Sequence, residues 1–451
     1  MTNDKPNPRY SALLSLVACE KNDKYTNLEV NASISHGGLQ PHDRALYTAL
    51  VYGVAERAIT LDYVIAKISS RPVAEIDSVT LNIIRLGLYQ IMYMDRIPQH
   101  AAVSESVNLS EKRSSGFVNA VLRNYLRKKG NTIFLPDESD RFHHLSIKYS
   151  APEWLCSLWS ERYGADTAEK LLASSIRAKQ KISLAVNTVK TSRGDVLDSL
   201  CASEIAARKS EIADNMIVID GSQPVSELSG LTDGLFYIQD EASGVCIHHA
   251  LSPNEGDVVI DTCAAPGGKS ISSALKMNNS GRIISCDINK NKLGLLEKSC
   301  MRLGIDIVET AIHDGKQMNP AWVNFADKVL CDVPCSGLGV IAKKPDIRYK
   351  KPESIAALPQ IQYEILRNCA NYAKEGGIVV YSTCTLNPRE NEEVAARFLT
   401  EFGDTFEPCE FTVPAINTKS KGGMVTLFPH ITNTDGFFIA KMIKKVKQGE
   451  K

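Results

Sequence analysis

The sequence predicts three consecutive folded regions: an all-helical bundle, a small α+β module, and a doubly wound α/β domain. Helical periodicity fills roughly the first 130 residues, and a polar stretch rich in Pro, Asp and Ser then interrupts it. From about residue 236, short apolar runs alternate with helical stretches, the pattern of a parallel sheet covered on both faces. Length agrees: 451 residues, at ~150 per domain, suggest about three. The expected regions are 1–135, 142–235 and 236–447.

In the first region, Asp43-Arg44-Ala45-Leu46 opens a helix that runs past Val51-Tyr52-Gly53. Leu81, Ile84, Leu88 and Ile91 recur at steps of three, four and three, one apolar stripe of another helix. Lys112, Arg113, Arg123, Arg127, Lys128 and Lys129 follow with no acidic residue between them. That reads either as a solvated helix face or as a phosphate-binding surface. Residues 130–141, with Pro136-Asp137-Glu138-Ser139-Asp140, read as a linker. Beyond it, Glu153 to Leu172 has helical spacing, Ile182 to Val186 alternates as a strand, and Met216 to Ile219 forms a second. In the last region strands are predicted to end near Asp261, Cys286, Val308, Cys331 and Tyr381, with a late apolar strand over Gly436 to Met442.

Charge balances at 52 basic against 52 acidic residues, so any surface that binds a polyanion has to be a local patch. Twelve cysteines behind a polar start, Met1-Thr2-Asn3-Asp4-Lys5, lead us to expect reduced thiols and a cytoplasmic location. There is no run of eighteen apolar residues, which argues against a membrane span. Cys331 and Cys335 lack a second pair at ligand spacing, so no metal is expected. A monomer is the expected state.

Two apolar runs, Lys328 to Cys331 and Gly377 to Tyr381, each deliver a cysteine just past a strand end. Cys335 sits in Asp332-Val333-Pro334-Cys335-Ser336-Gly337, and Cys384 in Tyr381-Ser382-Thr383-Cys384-Thr385. Ligands of open α/β sheets bind outside the carboxyl ends of strands, so both thiols should face one cleft. A third strand end, Val258 to Asp261, leads into a turn of small residues, Thr262-Cys263-Ala264-Ala265-Pro266-Gly267-Gly268-Lys269, where backbone can approach a ligand closely. Asp287 follows about 20 residues past the glycines, where a carboxylate meets ribose hydroxyls. The absence of GxGxxG and of a second phosphate loop favours a nucleoside without a pyrophosphate. Cys156, Cys201, Cys246, Cys300, Cys369 and Cys409 read as ordinary packing thiols.

Together the Cys263-to-Lys269, Asp332-to-Gly337 and Ser382-to-Thr385 strings resemble those of the RNA cytosine-C5 methyltransferases, which use S-adenosylmethionine. Arg85 to Tyr89, Ile97 to Val103 and Gly116 to Arg123 resemble the NusB-like antitermination-factor fold, a helical RNA-binding bundle. The resemblance implies a NusB-like bundle, a small α+β module, and a Rossmann-like methyltransferase domain whose sheet ends in a reversed hairpin. Many relatives carry prolines before the first strand of that module, where this chain has Lys179-Gln180-Lys181.

Roles follow from the same resemblance. Cys263, Ala264, Ala265, Pro266, Gly267, Gly268 and Lys269 line the methionine and ribose of S-adenosylmethionine. Asp287 holds the ribose, Asp314 lies by the adenine, and Asp332 closes the site near the methyl group. Cys384 bonds cytosine C6, Cys335 assists proton removal and release, and both thiols are expected to be acidified by a helix N-terminus or Lys269. The implied partner is 16S rRNA, at a loop or flipped-out cytosine. Arg348, Lys343-Lys344 and Lys350-Lys351 are expected beside the cleft as phosphate contacts. Two rival readings stay open: a different rRNA or tRNA target, and an RNA-binding assembly or antitermination factor. The second has no need of Cys335 and Cys384.

Overall fold

A computed structural model describes residues 7–22, 24–36, 38–128, 135–176, 181–221 and 228–447. Met1 to Lys5, Lys129, residues 130–134, Lys179 and Gln180 lie outside the described residues. The described chain falls into two compact units, one gathering residues before 178 with Ile341–Lys350, the other gathering the rest.

The first unit is helical: α1 Pro8–Asn22, α2 Thr26–His36, α3 Pro41–Ile68, α4 Ser78–Tyr93, α5 Gln99–Leu109, α6 Lys112–Lys128, α7 Arg141–Tyr149, α8 Glu153–Tyr163 and α9 Ala165–Ser174. Asp77 caps α4 by accepting from Thr80 N at 3.0 Å. Leu81, Ile84, Leu88 and Ile91 are all buried and share one core with Leu50, Val51 and Val54 of α3 and with Val118 and Leu122 of α6. The polar stretch before residue 141 ends in Asp140, the N-cap of α7. The predicted helix Glu153 to Leu172 is two helices, because Gly164 breaks it at φ 81°, a conformation costly for any residue with a Cβ.

Residues Ile341–Lys350 belong to this unit, and Arg348 explains how. Its side chain is fully buried, and it donates to the carbonyls of Glu56 at 3.1 Å, Tyr149 at 3.3 Å, Ser150 at 3.0 Å and Ser175 at 2.9 Å. These carbonyls lie in α3 and at the ends of α7 and α9, where intrahelical partners run out. The expectation that Arg348 holds RNA phosphate is therefore corrected: the guanidinium is a structural tie with no surface to offer. Asp346 completes the tie, accepting from the amide of Thr26 at 3.0 Å.

The second unit holds two sheets. The smaller has order β2-β3-β1-β4, all antiparallel, from β1 Lys181–Val186, β2 Ala207–Lys209, β3 Met216–Asp220 and β4 Phe236–Ile238, with α10 Arg193–Ala202. The larger contains β5 Val258–Asp261, β6 Arg282–Asp287, β7 Val308–Ile312, β8 Ala326–Asp332, β9 Ala373–Thr383, β10 Phe406–Pro408 and β14 Phe437–Lys444 in the order β10-β14-β9-β8-β5-β6-β7. The neighbours from β9 to β7 pair in parallel, whereas β14 runs antiparallel to β9, to β10 and to β13 Met424–Leu427. A short hairpin, β11 Thr412–Val413 with β12 Thr418–Lys419, stands apart. The further α-helices are α11 Glu241–Val245, α12 Gly268–Lys276, α13 Lys290–Leu303, α14 Pro352–Ile355, α15 Leu358–Cys369, α16 Glu392–Glu401 and α17 Pro429–Thr432. One sequence expectation fails in register: Val308 begins β7 rather than ending it. As an edge strand it reads Val-Glu-Thr-Ala-Ile, without the continuous apolar run that marks a central strand.

Candidate active site

From β5 the chain winds outward through β6 and β7, then returns to the opposite side of β5 as β8. The strand order reverses between β5 and β8, and such a switch point opens a crevice at the carboxyl ends of the strands. The small-residue turn follows β5 there, Asp332 ends β8, and Ser382 lies opposite Asp332 on β9.

The turn is stitched to both neighbouring strands. Thr262 N donates to Leu330 O at 2.9 Å, and Ala264 N donates to Cys286 O at 2.7 Å. Ala265 N reaches Asp287 Oδ2 at 3.2 Å, while Asp287 Oδ1 accepts from Asn289 N at 2.8 Å. Asn289, not Asp287, caps α13. Gly267 has φ 107°, and a Cβ there would stand 2.3 Å from Leu296 Cδ1, so the position takes no larger residue without a shift. Beside the turn, Gln239 Nε2 and Asp261 Oδ1 are buried with no hydrogen-bond partner among the described residues. Burial also pushes the Asp261 carboxyl up to about 7. An unspent donor, an unspent acceptor, close backbone and the Asp287 carboxylate fit an amino-acid-bearing nucleoside such as S-adenosylmethionine. Lys269, the cation beside the turn, is committed to Asp332 Oδ2 at 2.7 Å rather than to a pyrophosphate. Burial is the largest single influence on the Lys269 ammonium and pulls it down, but the Asp332 carboxylate together with the Cys246 and Cys384 thiols holds it above its ordinary value. Asp332 Oδ1 takes a second donor, Ser382 Oγ, at 2.8 Å.

The two predicted thiols meet: Cys335 Sγ and Cys384 Sγ are 3.3 Å apart and half-buried. Their acidities move in opposite directions. The hydrogen bond from Cys335 lowers Cys384, with Lys269 adding to the effect, while the same bond and burial raise Cys335. The expectation that both are acidified is corrected for Cys335, since two thiols sharing one proton cannot both ionise readily. Cys263, half-buried in the turn, is raised well above the ordinary thiol range by desolvation. Asp314 Oδ1 accepts from Lys316 N at 3.0 Å within its own turn.

Sequence reasoning missed the residues that hold the two cysteine loops. Ser336, Gln362, Thr385, Glu390 and Asn391 are all fully buried. A signal existed in the polar run Asn387-Pro388-Arg389-Glu390-Asn391, but a polar run after a strand reads by default as a solvated loop.

In the helical unit, Arg113, Gly116, Ala120, Arg123 and Arg127 form one exposed stripe of α6. Arg113 pairs with Glu111 at 2.8 Å, just outside the basic stretch. Between α5 and α6 lies a groove of about 720 Å³ lined by polar side chains including Gln99, His100, Ser104, Asn108, Asn119 and Arg123.

This fold and site define a Rossmann-like methyltransferase. Residues 248–443 match the family described as 16S rRNA methyltransferase RsmB/F, residues 151–226 its ferredoxin-like domain, and residues 6–127 the NusB family. The chain is 36% identical over 452 residues to the probable ribosomal RNA small subunit methyltransferase B of Bacillus subtilis (strain 168), covering 98% of this chain and 99% of that one. It is 35% identical to the protein of the same description from Synechocystis sp., covering 97% and 99%. Among solved structures, that of PH0851 superposes with a TM-score of 0.81 at 26% identity, covering 98% of this chain and 99% of that one. NSun6 from Pyrococcus horikoshii with SFG shares the fold at a TM-score of 0.59 and 23% identity, over 66% of this chain and 99% of that one. The chain thus belongs to the ribosomal RNA small subunit methyltransferase B family, enzymes that methylate RNA at the expense of S-adenosylmethionine. Its helical N-terminal region is NusB-like and its four-stranded module ferredoxin-like.

Proposed function

We propose that the chain methylates C5 of a cytosine in 16S rRNA, cytosine 967, through a covalent bond between Cys384 and C6. The observation that carries this reading is the 3.3 Å contact of two thiols at the switch-point crevice. Cytosine C5 is a weak nucleophile. Attack of a thiolate on C6 turns C5 into an enamine-like carbon, and only the ionised thiol attacks. Cys384 suits that step because Cys335 donates a hydrogen bond to its thiolate.

Cys335 then suits the second task for the same reason. Once Cys384 is bonded to carbon it carries no negative charge. The hydrogen bond to Cys384 and the repulsion from its charge vanish together, so Cys335, opposed now mainly by burial, can release its own proton to solvent water and, as a thiolate, accept the C5 proton. Loss of that proton lets the Cys384–C6 bond break by β-elimination.

S-adenosylmethionine, when bound, supplies an electrophilic methyl group. The turn from Cys263 to Lys269 would hold its methionine and ribose, Asp287 the ribose hydroxyls, and Asp314 the adenine edge. Asp332, fixed by Lys269 and Ser382, would lie by the methyl and accept a hydrogen bond from the cytosine amine. The target base has to leave its stack to reach such a crevice, at a cost of a few kcal/mol. The α6 stripe and neighbouring groove offer the local basic patch that a chain of balanced charge needs for RNA. As an rRNA enzyme the chain would act in the cytoplasm, as a monomer.

Bisulfite maps of 16S rRNA from cells carrying the wild-type gene, the Cys384→Ala gene or none test the reading. Loss of one protected cytosine in both mutant strains is expected; protection retained with Cys384→Ala would overturn it. Asp332→Asn is expected to slow methyl transfer at least tenfold, a loss typical of one preorganised polar group. An unchanged rate would remove Asp332 from the chemistry.

A further inference from the structure

We propose that the adjacent pair Glu390–Asn391 is a positioning clamp that fixes Cys335 against Cys384 and so couples methyl transfer to release. This rests on the two-thiol reading above. Both residues are fully buried, and each holds one cysteine loop.

Glu390 grips the Cys335 side. Its Oε1 accepts from Ser336 Oγ at 2.5 Å and Asn387 Nδ2 at 2.8 Å, and its Oε2 accepts from Ser336 N at 2.8 Å and Gln362 Nε2 at 2.9 Å. Four donors converge on one carboxylate, which fills the acceptor capacity of that group. Gln362 Nε2 also donates to Pro334 O at 3.0 Å, so the residues on both sides of Cys335 are held.

Asn391 grips the Cys384 side. Its Oδ1 accepts from Thr383 Oγ1 at 2.6 Å, and its Nδ2 donates to Thr385 O at 2.9 Å, again flanking the cysteine. The two grips are joined directly. Leu338 N donates to Thr385 Oγ1 at 3.3 Å, and Thr385 Oγ1 lies 2.6 Å from Ser336 Oγ. Because the Ser336 proton goes to Glu390, Thr385 must donate to Ser336, giving a relay of fixed direction that ends on the carboxylate. Tyr381 OH anchors the clamp itself, donating to Glu390 O at 2.5 Å.

This arrangement makes the carboxylate irreplaceable by its own amide. Glutamine at 390 offers one oxygen and turns an NH2 group toward two of the four donors, so the Cys335 loop has to shift. A shift of about 1 Å at a reacting group can cost on the order of 100-fold in rate.

The test uses full-length Glu390→Gln and two measurements. First, without RNA, an azodicarboxamide oxidant joins the two sulfurs; each thiol gives up one proton and one electron, the S–S bond forms, and the reagent takes both up as its hydrazine. Closure, followed by intact mass and thiol count, is expected to be roughly tenfold slower than in the wild type, well inside that cost. Second, with S-adenosylmethionine and 16S rRNA, Glu390→Gln should complete methyl transfer yet accumulate an RNase-sensitive protein–RNA adduct, as is expected of Cys335→Ala. Its kcat should fall while KM for S-adenosylmethionine stays unchanged. A generally damaged fold would lower transfer and adduct together and leave their ratio unmoved.

Wild-type closure and wild-type adduct ratio in Glu390→Gln would overturn the clamp while leaving the thiol reading intact if Cys335→Ala accumulates adduct. Slowed closure with no adduct in Cys335→Ala would instead retain the clamp geometry and reject the thiol roles. Should Glu390→Gln fail to fold, Ser336→Ala removes one hydroxyl of the relay; the same two changes, smaller in size, are expected, and their absence overturns the proposal.

Discussion

At the scale of single residues, the chemistry rests on which of two adjacent thiols holds their shared proton. Cys384 is lowered chiefly because Cys335 donates to it, so its thiolate persists to lower pH than an ordinary cysteine allows. Removing the donor reverses the sign. In Cys335→Ala the acid limb of the rate of adduct formation is expected to move to higher pH, and single-turnover gels across pH measure it. A limb that stays in place would mean that Cys335 does not tune the nucleophile. The two cysteines were legible in sequence because each follows an apolar strand run in a short string that admits few alternatives. Their opposed acidities were not, because a 3.3 Å contact across 49 positions depends on β8 and β9 lying side by side. Glu390 and Asn391 escaped for a related reason: a buried polar residue in a loop looks the same in sequence as a solvated one.

Elements set where those residues stand. Strand ends were read well for β5, β6, β8 and β9, whose continuous apolar runs announce burial on both faces. Reading failed at the polar edge strand β7 and at Gly164, where a single positive-φ residue divides a helical pattern. The turn between β5 and α12 shows how tightly an element can constrain one position. Gly267→Ala meets both a left-handed backbone and Leu296 Cδ1 at 2.3 Å, so a loss of about 1–3 kcal/mol in stability is expected from thermal melting. S-adenosylmethionine affinity by calorimetry should fall with it. Adding Leu296→Ala relieves the contact but not the backbone, so it should restore part of the loss. Full restoration would show that φ costs nothing here, and no loss in the single variant would contradict the geometry of the turn.

At the scale of the whole molecule, the described chain forms two compact units, and the segment Ile341–Lys350 joins the helical one although it follows the Cys335 loop in the chain. Arg348 holds it there through four backbone carbonyls. No sequence pattern distinguishes such a buried arginine from the lysines around it. Arg348→Met keeps the volume and loses the donors, and should destabilise the chain by roughly 2–4 kcal/mol in chemical denaturation, since several buried acceptors lose a charged partner. A midpoint unchanged from wild type would contradict the tie. For RNA, the exposed stripe makes a separate prediction. Arg123→Ala with Arg127→Ala should weaken binding of unrelated sequences alike and flatten the log–log salt dependence by about 1–2 units. An unchanged slope would locate the phosphate contacts elsewhere.

The most direct test of the central claim is a denaturing protein gel of full-length Cys335→Ala incubated with S-adenosylmethionine and 16S rRNA. The expected result is a slowly migrating, RNase-sensitive band that carries the transferred methyl group and disappears when Cys384→Ala is added. A band that survives loss of Cys384, or methyl transfer at the wild-type rate with no band, would contradict it.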